Sequence, residues 1–204
     1  DYHELFVGAM NIVPHLKDFN SYTCSDICED LILLYQDLQQ DWMPPDVLNK
    51  DQYYEIKNYP PSGLRGFVGF GCSYSGKWFG GYAKDNTGRN YCLNAKNSIL
   101  KKLPSIKKSK FICADYADLL PQNGLLYIDS PYQYTTQYDY CKNFDHEKFW
   151  SRMRQLSENN IVIISEYNAP PDFKCVLEIP TKTDMRDKSG KQSLRIEKLF
   201  RYDR

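Results

Sequence analysis

The chain has 204 residues, enough for one domain with a sizeable core and a small inserted lobe, and its 26 Lys and Arg balance 26 Asp and Glu. Zero net charge excludes a global attraction to nucleic acid, so any such contact must come from local clusters of base. No apolar run approaches the ~20 residues of a membrane span, and no secretory leader is visible.

Seven cysteines (Cys24, Cys28, Cys72, Cys92, Cys113, Cys141 and Cys175) are scattered, and no second Cys or His pair completes a zinc site. They read as reduced thiols of a cytoplasmic protein, with no metal site expected. Aromatics are abundant, with 17 Tyr, 10 Phe and 3 Trp. That suits base stacking and an ordinary core equally.

In chain order, residues 2–7 read as a strand ended by Gly8, and residues 9–13 as a short apolar helical segment. Residues 22–25 read as a second strand that ends at Asp26. Over residues 29–42 the apolar positions Leu31, Leu34, Tyr35, Leu38 and Trp42 fall on one helical face. Strand, helix, strand ending in acid, helix is the grammar of an α/β domain with a parallel sheet.

Residues 43–97 break that rhythm. They interleave glycine, aromatic and basic residues, and read as an inserted surface lobe or groove. A helix over residues 94–103 returns to the main domain. Residues 110–114 form a strand ending at Asp115, and residues 124–128 a buried strand ending at Asp129. A Tyr-, Thr- and Gln-rich loop spans residues 133–142. Asp145 caps a helix with Phe149, Trp150, Met153 and Leu156 on one face. Residues 161–165 are the most apolar strand. Strands over residues 173–179 and 194–202 pair as a closing hairpin around a basic loop. The expected division is 1–42, the first part of the main domain; 43–97, the inserted lobe; and 98–204, the remainder.

Asp129-Ser130-Pro131-Tyr132 is the most informative stretch. A strand ending this way places a carboxylate, carbonyls freed from the ladder by Pro131, a rigid turn and an aromatic face at one sheet edge. An exocyclic amine on a flat ring needs that set: acceptors for its N–H groups and a ring to stack on. Taken alone, the tetrapeptide equally fits an ordinary Asp-Pro turn. Ligands of open parallel sheets sit beyond the carboxyl ends of strands, and Asp26, Asp115 and Asp129 all fall there. Gly8 gives backbone access, Asp26 suits ribose hydroxyls, and Asp115 suits the exocyclic amine of an adenine ring. There is no GxGxxG and no P-loop for phosphate.

With these residues in order, the chain resembles the Dam-like DNA adenine-N6 methyltransferases, especially the phage and prophage branch. Glu4-Leu5-Phe6-Val7-Gly8-Ala9 is similar to the family's cofactor loop, and Ser25-Asp26-Ile27 to its ribose-binding strand end. Residues 69–73 and 76–82 resemble its inserted segment. Phe111-Ile112-Cys113-Ala114-Asp115-Tyr116 resembles the strand whose acid meets the cofactor adenine. Asp129-Ser130-Pro131-Tyr132 stands where the family has Asp-Pro-Pro-Tyr. Residues 164–170 and 195–200 match its late strands.

The resemblance implies a Rossmann-like α/β sheet of the S-adenosylmethionine-dependent methyltransferases, with helices on both faces, the inserted DNA-recognition lobe and the C-terminal antiparallel hairpin. It implies methyl transfer from S-adenosylmethionine to the N6 of a flipped adenine in double-stranded DNA, in a bacterial or phage-infected cell, as in restriction-modification. Phe6, Val7, Gly8, Ala9, Asp26, Ile27, Asp115, Tyr116 and Asp129 are the implied cofactor contacts. Asp129, Ser130, Pro131 and Tyr132 are the implied catalytic motif. Arg65, Lys77, Trp78, Lys84, Arg89, Lys182, Arg186 and Lys188 are the candidate DNA contacts.

Three departures stand out. The family's leading segment with its Pro-Gly-Ser-Lys-type motif does not precede the cofactor loop in this sequence. Leu5 and Ala9 replace a proline and a glycine of that loop, and Ser130 replaces the first proline of the catalytic motif. The expected alternatives are a methyltransferase of the same fold acting on RNA or protein amines, a split enzyme completed by another chain, or a catalytically impaired protein of this fold that binds DNA or a partner.

Overall fold

The computed structural model describes residues 1–132, 144–186 and 192–203. The loop expected over residues 133–142 lies outside them, as do Lys188 and Cys141. Seven strands, β1 (Tyr2–Glu4), β2 (Tyr22–Asp26), β3 (Lys110–Cys113), β4 (Leu125–Ile128), β5 (Ile161–Glu166), β6 (Phe173–Arg186) and β7 (Gln192–Tyr202), form one sheet in the order 3-2-1-4-5-7-6. The pairs β1–β4, β2–β3 and β4–β5 are parallel, whereas β7 runs antiparallel to both β5 and β6. The 3-2-1-4-5 run is the Rossmann order, and the late hairpin closes the sheet as expected. The chain forms two compact units, Asp1–Phe6 with Ala117–Arg204, and Val7–Tyr116.

In the first unit, strict alternation sets the two sides of β4. Leu126 and Ile128 are fully buried, while Leu125 and Tyr127 are half-buried. The same period carries past the strand end, so Asp129 is exposed and Ser130 is buried. The hairpin arms are longer than the sequence suggested: β6 continues through Pro180, paired with Ile196. Proline is tolerated there because β6 is the last strand of the sheet, and its missing N–H faces no further neighbour.

The helices are α1 (Glu29–Gln39), α2 (Lys50–Ile56), α3 (Gly63–Gly66), α4 (Tyr91–Leu100), α5 (Leu103–Lys108) and α6 (His146–Leu156). On α6 the four expected apolar residues are buried, and Asp145 accepts the Lys148 amide at 2.9 Å as its N-cap. Trp150 packs on Phe173 with ring centroids 4.8 Å apart. In the second unit, α1 stops before the expected Trp42. Asp41 turns left-handed (φ 63°), and the amides of Asp41 and Trp42 bond back to Leu38 and Asp37 at 3.3 and 3.1 Å, a C-terminal lock that ends the helix.

Residues 43–97 lie wholly within the second unit, where α3 packs against α1. Tyr53, Phe67, Val68, Cys72, Phe79, Ala83 and Cys92 are buried. Helix α2, not expected from periodicity, is announced instead by a reciprocal capping box between Asn49 and Gln52. Helix α3 runs into a π-helical turn, Phe67–Gly71. The expected helix over 94–103 begins three residues early, because Asn90 caps it through the Leu93 amide. It also breaks into α4 and α5 ahead of Pro104.

Candidate functional site

Within the unit Val7–Tyr116, β2 delivers Asp26 to the start of α1. One carboxylate oxygen accepts the Cys28 amide at 3.0 Å and the other accepts the Gly8 amide at 3.1 Å. Gly8 has φ +43°, a backbone state that favours glycine, and a side chain built on it meets nothing within 4 Å. The Gly8 carbonyl accepts the hydroxyl of buried Tyr35 at 2.6 Å, and the Tyr35 ring stacks on Phe111 at 4.7 Å. Lys102 reaches the Ala9 carbonyl and Asn11 Oδ1, each at 2.6 Å. The turn is therefore fixed on three sides before any ligand arrives. Burial pushes the Asp26 carboxyl above its ordinary value, and the amides of Cys28, Gly8 and Ile27 oppose that rise.

Next to Asp26 stands Ile27, exposed at 55 %. An exposed isoleucine beside a half-buried carboxylate offers an apolar shelf next to a hydrogen-bond acceptor. The Ala114 amide bonds the Asp26 carbonyl at 3.1 Å and continues the β2–β3 ladder to half-buried Asp115 and buried Tyr116.

Within the other unit, Asp129, Ser130, Pro131 and Tyr132 follow β4. The side chain of Asp129 reaches solvent, yet the surrounding protein removes enough water to raise its carboxyl pKa. A hydrogen bond from Tyr132 works against that rise, and the charge of Glu197 adds to it. Tyr132 shares a 2.6 Å hydrogen bond with Ser165 of β5, and its ring meets Tyr167 edge-on at 4.9 Å and 76°. Loss of water and the Asp129 charge push the Tyr132 hydroxyl far up. The Tyr127 hydroxyl is pushed up to about 12 by the same two causes. The Ser130 hydroxyl is buried and has no hydrogen-bond partner among the described residues. The arrangement supplies an anionic acceptor on an open strand end beside a braced aromatic ring.

The sequence matches no protein-family model and no curated protein. Solved structures do resemble it. A candidate RNA methyltransferase of Pyrococcus horikoshii aligns with TM-score 0.43 and 10 % identity, over 100 % of this chain and 72 % of its own. The magnesium protoporphyrin IX methyltransferase of Synechocystis, solved with S-adenosylmethionine bound, aligns at 0.41 and 12 %, over 98 % of this chain and 69 % of its own. An rRNA methylase of Streptococcus thermophilus aligns at 0.41 and 7 %, over 100 % of this chain and 87 % of its own.

The remaining expected site residues fall in varied settings. Val7 is buried, and its amide bonds the Ser25 carbonyl at 2.9 Å. The Phe6 ring packs against Phe144 and Phe149. Arg65 is engaged by buried Asp30 at 2.5 Å, and its guanidinium lies over Trp78 and Phe79. Trp78 packs on Phe70 and Phe79, with centroids 4.7 and 4.8 Å away. Lys77, Lys84 and Arg89 are exposed. Lys182 and Arg186 lie on β6, paired with Leu194 and Gln192. Among the described residues no group of three or more His, Cys, Asp or Glu is placed to hold a metal, and no helix is long and apolar enough to cross a membrane.

Three residues at these sites escaped the sequence reading: Tyr35, Lys102 and Ser165. The only sequence signal for Tyr35 is a hydroxyl on an otherwise apolar helix face. Ser165, ending the most apolar strand with a polar side chain, gave a similar signal.

Proposed function

We propose that the protein is an S-adenosylmethionine-dependent methyltransferase acting on the N6 amine of adenine in DNA. The observation that carries the reading is the strand end at β4. There a carboxylate with a raised pKa stands on the open side of the strand, and a tyrosine ring braced by Ser165 and Tyr167 follows it. The donor fits the other strand-end turn. The space above Gly8 is open, Ile27 is exposed, and the Asp26 carboxylate keeps lone-pair capacity for a ribose hydroxyl beyond its main-chain amides. When bound, S-adenosylmethionine supplies a methyl group already activated on sulfur.

The chain's own residues then position and desolvate the partners. An aromatic amine is a poor nucleophile because its lone pair is delocalised into the ring. An N–H bonded to Asp129, and a second to a carbonyl near Ser130 and Pro131, draws the nitrogen toward a tetrahedral form. Asp129 and the carbonyls near Ser130 and Pro131 would hold this nitrogen with its lone pair free for the methyl group the donor supplies, whose bonding pair would stay on sulfur. The proton then leaves nitrogen for Asp129 or water. Tyr132 stacks on the ring, which is reachable only when flipped out of a duplex. The motif order of the Dam-like family supports DNA as substrate, and exposed Lys77, Lys84 and Arg89 suit phosphate contacts.

The test is calorimetric titration with S-adenosylmethionine, followed by tritium transfer to unmethylated plasmid DNA and, in parallel, to RNA. Asp26→Asn is the better control than Asp26→Ala, because it keeps an acceptor for one of the two main-chain amides. Binding lost in the control, with label entering adenine of DNA, supports the reading. Label entering RNA alone would move the substrate. A folded protein that binds no donor would refute the enzyme reading.

A further inference from the structure

The strand register gathers a set of polar groups on one side of the sheet in the unit that holds Asp129. Tyr127 pairs with Ile163, so Ser165, two residues on, shares that side, as does Asp129, two residues after Tyr127. Ser165 is buried, at 5 % exposure, although it ends an apolar strand. Its hydroxyl shares a 2.6 Å hydrogen bond with the Tyr132 hydroxyl, which ties that ring to β5 next to the Asp129 turn. The Tyr132 hydroxyl opposes the rise of the Asp129 carboxyl pKa, and Ser165 opposes that of Tyr127.

The next two residues brace the same ring. Glu166 is buried and bonds the Tyr167 amide at 2.7 Å, which fixes the backbone that holds the Tyr167 ring against Tyr132. Tyr132 thus has its ring located by one contact and its hydroxyl by another. With the hydroxyl released, the ring keeps its edge-on neighbour but loses its setting about the Cβ bond.

We propose that Ser165 is a positioning residue of this site: through the Tyr132 hydroxyl it sets the plane of the stacking ring that follows Asp129. The inference rests on the methyltransferase reading above. Ser165 touches no reacting atom, so its effect falls on turnover, not on donor or substrate affinity.

The experiment is steady-state methylation of unmethylated plasmid DNA by the wild type, Ser165→Ala, Tyr132→Phe, the double variant and Ser165→Thr. Donor affinity is measured by calorimetry, and the urea midpoint by fluorescence. Ser165→Ala is expected to lower kcat about 10- to 100-fold, the size of a sub-ångström to 1 Å misplacement. KM and donor affinity should stay within about threefold of wild type. Tyr132→Phe keeps the ring and loses the hydroxyl, so it should fall by a similar factor. The double variant should be no worse than the poorer single one, because both remove the same hydrogen bond. Ser165→Thr restores the hydroxyl and most of the rate.

A general packing defect would instead move KM, donor affinity and midpoint together, and its effect would add to that of Tyr132→Phe; that result would overturn the inference. So would a Ser165→Ala enzyme as fast as an active wild type. A wild type inert toward DNA and RNA alike would refute the functional reading itself, and the inference with it.

Discussion

The Asp30–Arg65 pair offers the sharpest energetic test of how residues 43–97 are held. Asp30 sits in the first turn of α1, with its side chain 4 % exposed, and the Arg65 side chain is 19 % exposed. The carboxylate also accepts the Ser62 amide at 2.9 Å. Arg65 makes a further bond to the Lys57 carbonyl at 3.2 Å and covers the Trp78 ring, its guanidinium 5.2 Å from the ring centre. Asp30→Ala strands a mostly buried guanidinium and a main-chain amide together. Removing one partner of a buried pair costs about 3–5 kcal/mol. With a urea m-value of about 2 kcal/mol per molar, the unfolding midpoint should fall by roughly 1.5–2.5 M. Tryptophan fluorescence is the assay, since Trp78 lies beneath Arg65. Asp30→Leu with Arg65→Met removes both charges but still leaves the Ser62 amide unpaired, so it should recover all but about 1–3 kcal/mol of the loss. A loss below about 1 kcal/mol for Asp30→Ala, or a double variant as weak as the single one, would refute the reasoning.

Other outcomes follow from the same geometry. Asp129→Ala should abolish methyl transfer while calorimetric donor binding persists; loss of both would move Asp129 out of the amine site. If transfer needs Asp129 ionised, kcat falls as pH drops through its folded pKa. That acid limb should have its midpoint above the ordinary carboxylate value of 3.8, measured in a pH–rate profile. The Asp85 carboxyl, bonded by the hydroxyl and amide of Thr87, should titrate at about 2 by NMR, and Thr87→Ala should raise it. Any stability from Asp85 is present above its unfolded pKa and is lost as pH falls toward about 2. Gly66→Ala would push a methyl group into the Asp30 backbone carbonyl, and should cost about 1–3 kcal/mol in urea unfolding.

Much of the sheet was legible because its signals are local. The apolar run before Asp129, the 3.6-residue stripe on α6 with its Asp145 cap, and strand-end Asp26 depend on near neighbours in sequence. The alternation through β4 even separates exposed Asp129 from buried Ser130. Residues 43–97 were harder. Their packing is built from aromatic contacts and capping hydrogen bonds, so no hydrophobic period marks it. Helix α1 likewise ends where Asp41 turns left-handed, while its apolar stripe runs on to Trp42.

The sequence alone determined the α/β class, the acids at the strand ends and the motif order, since each is written in a few consecutive residues. Only the tertiary structure decided which groups meet. Tyr35 reaches Gly8 across 27 residues, Arg65 reaches Asp30 across 35, and Ser165 reaches Tyr132 across 33. Such pairs are set by strand register and helix packing, which bring distant chain segments within hydrogen-bond range and leave no periodic trace in the sequence.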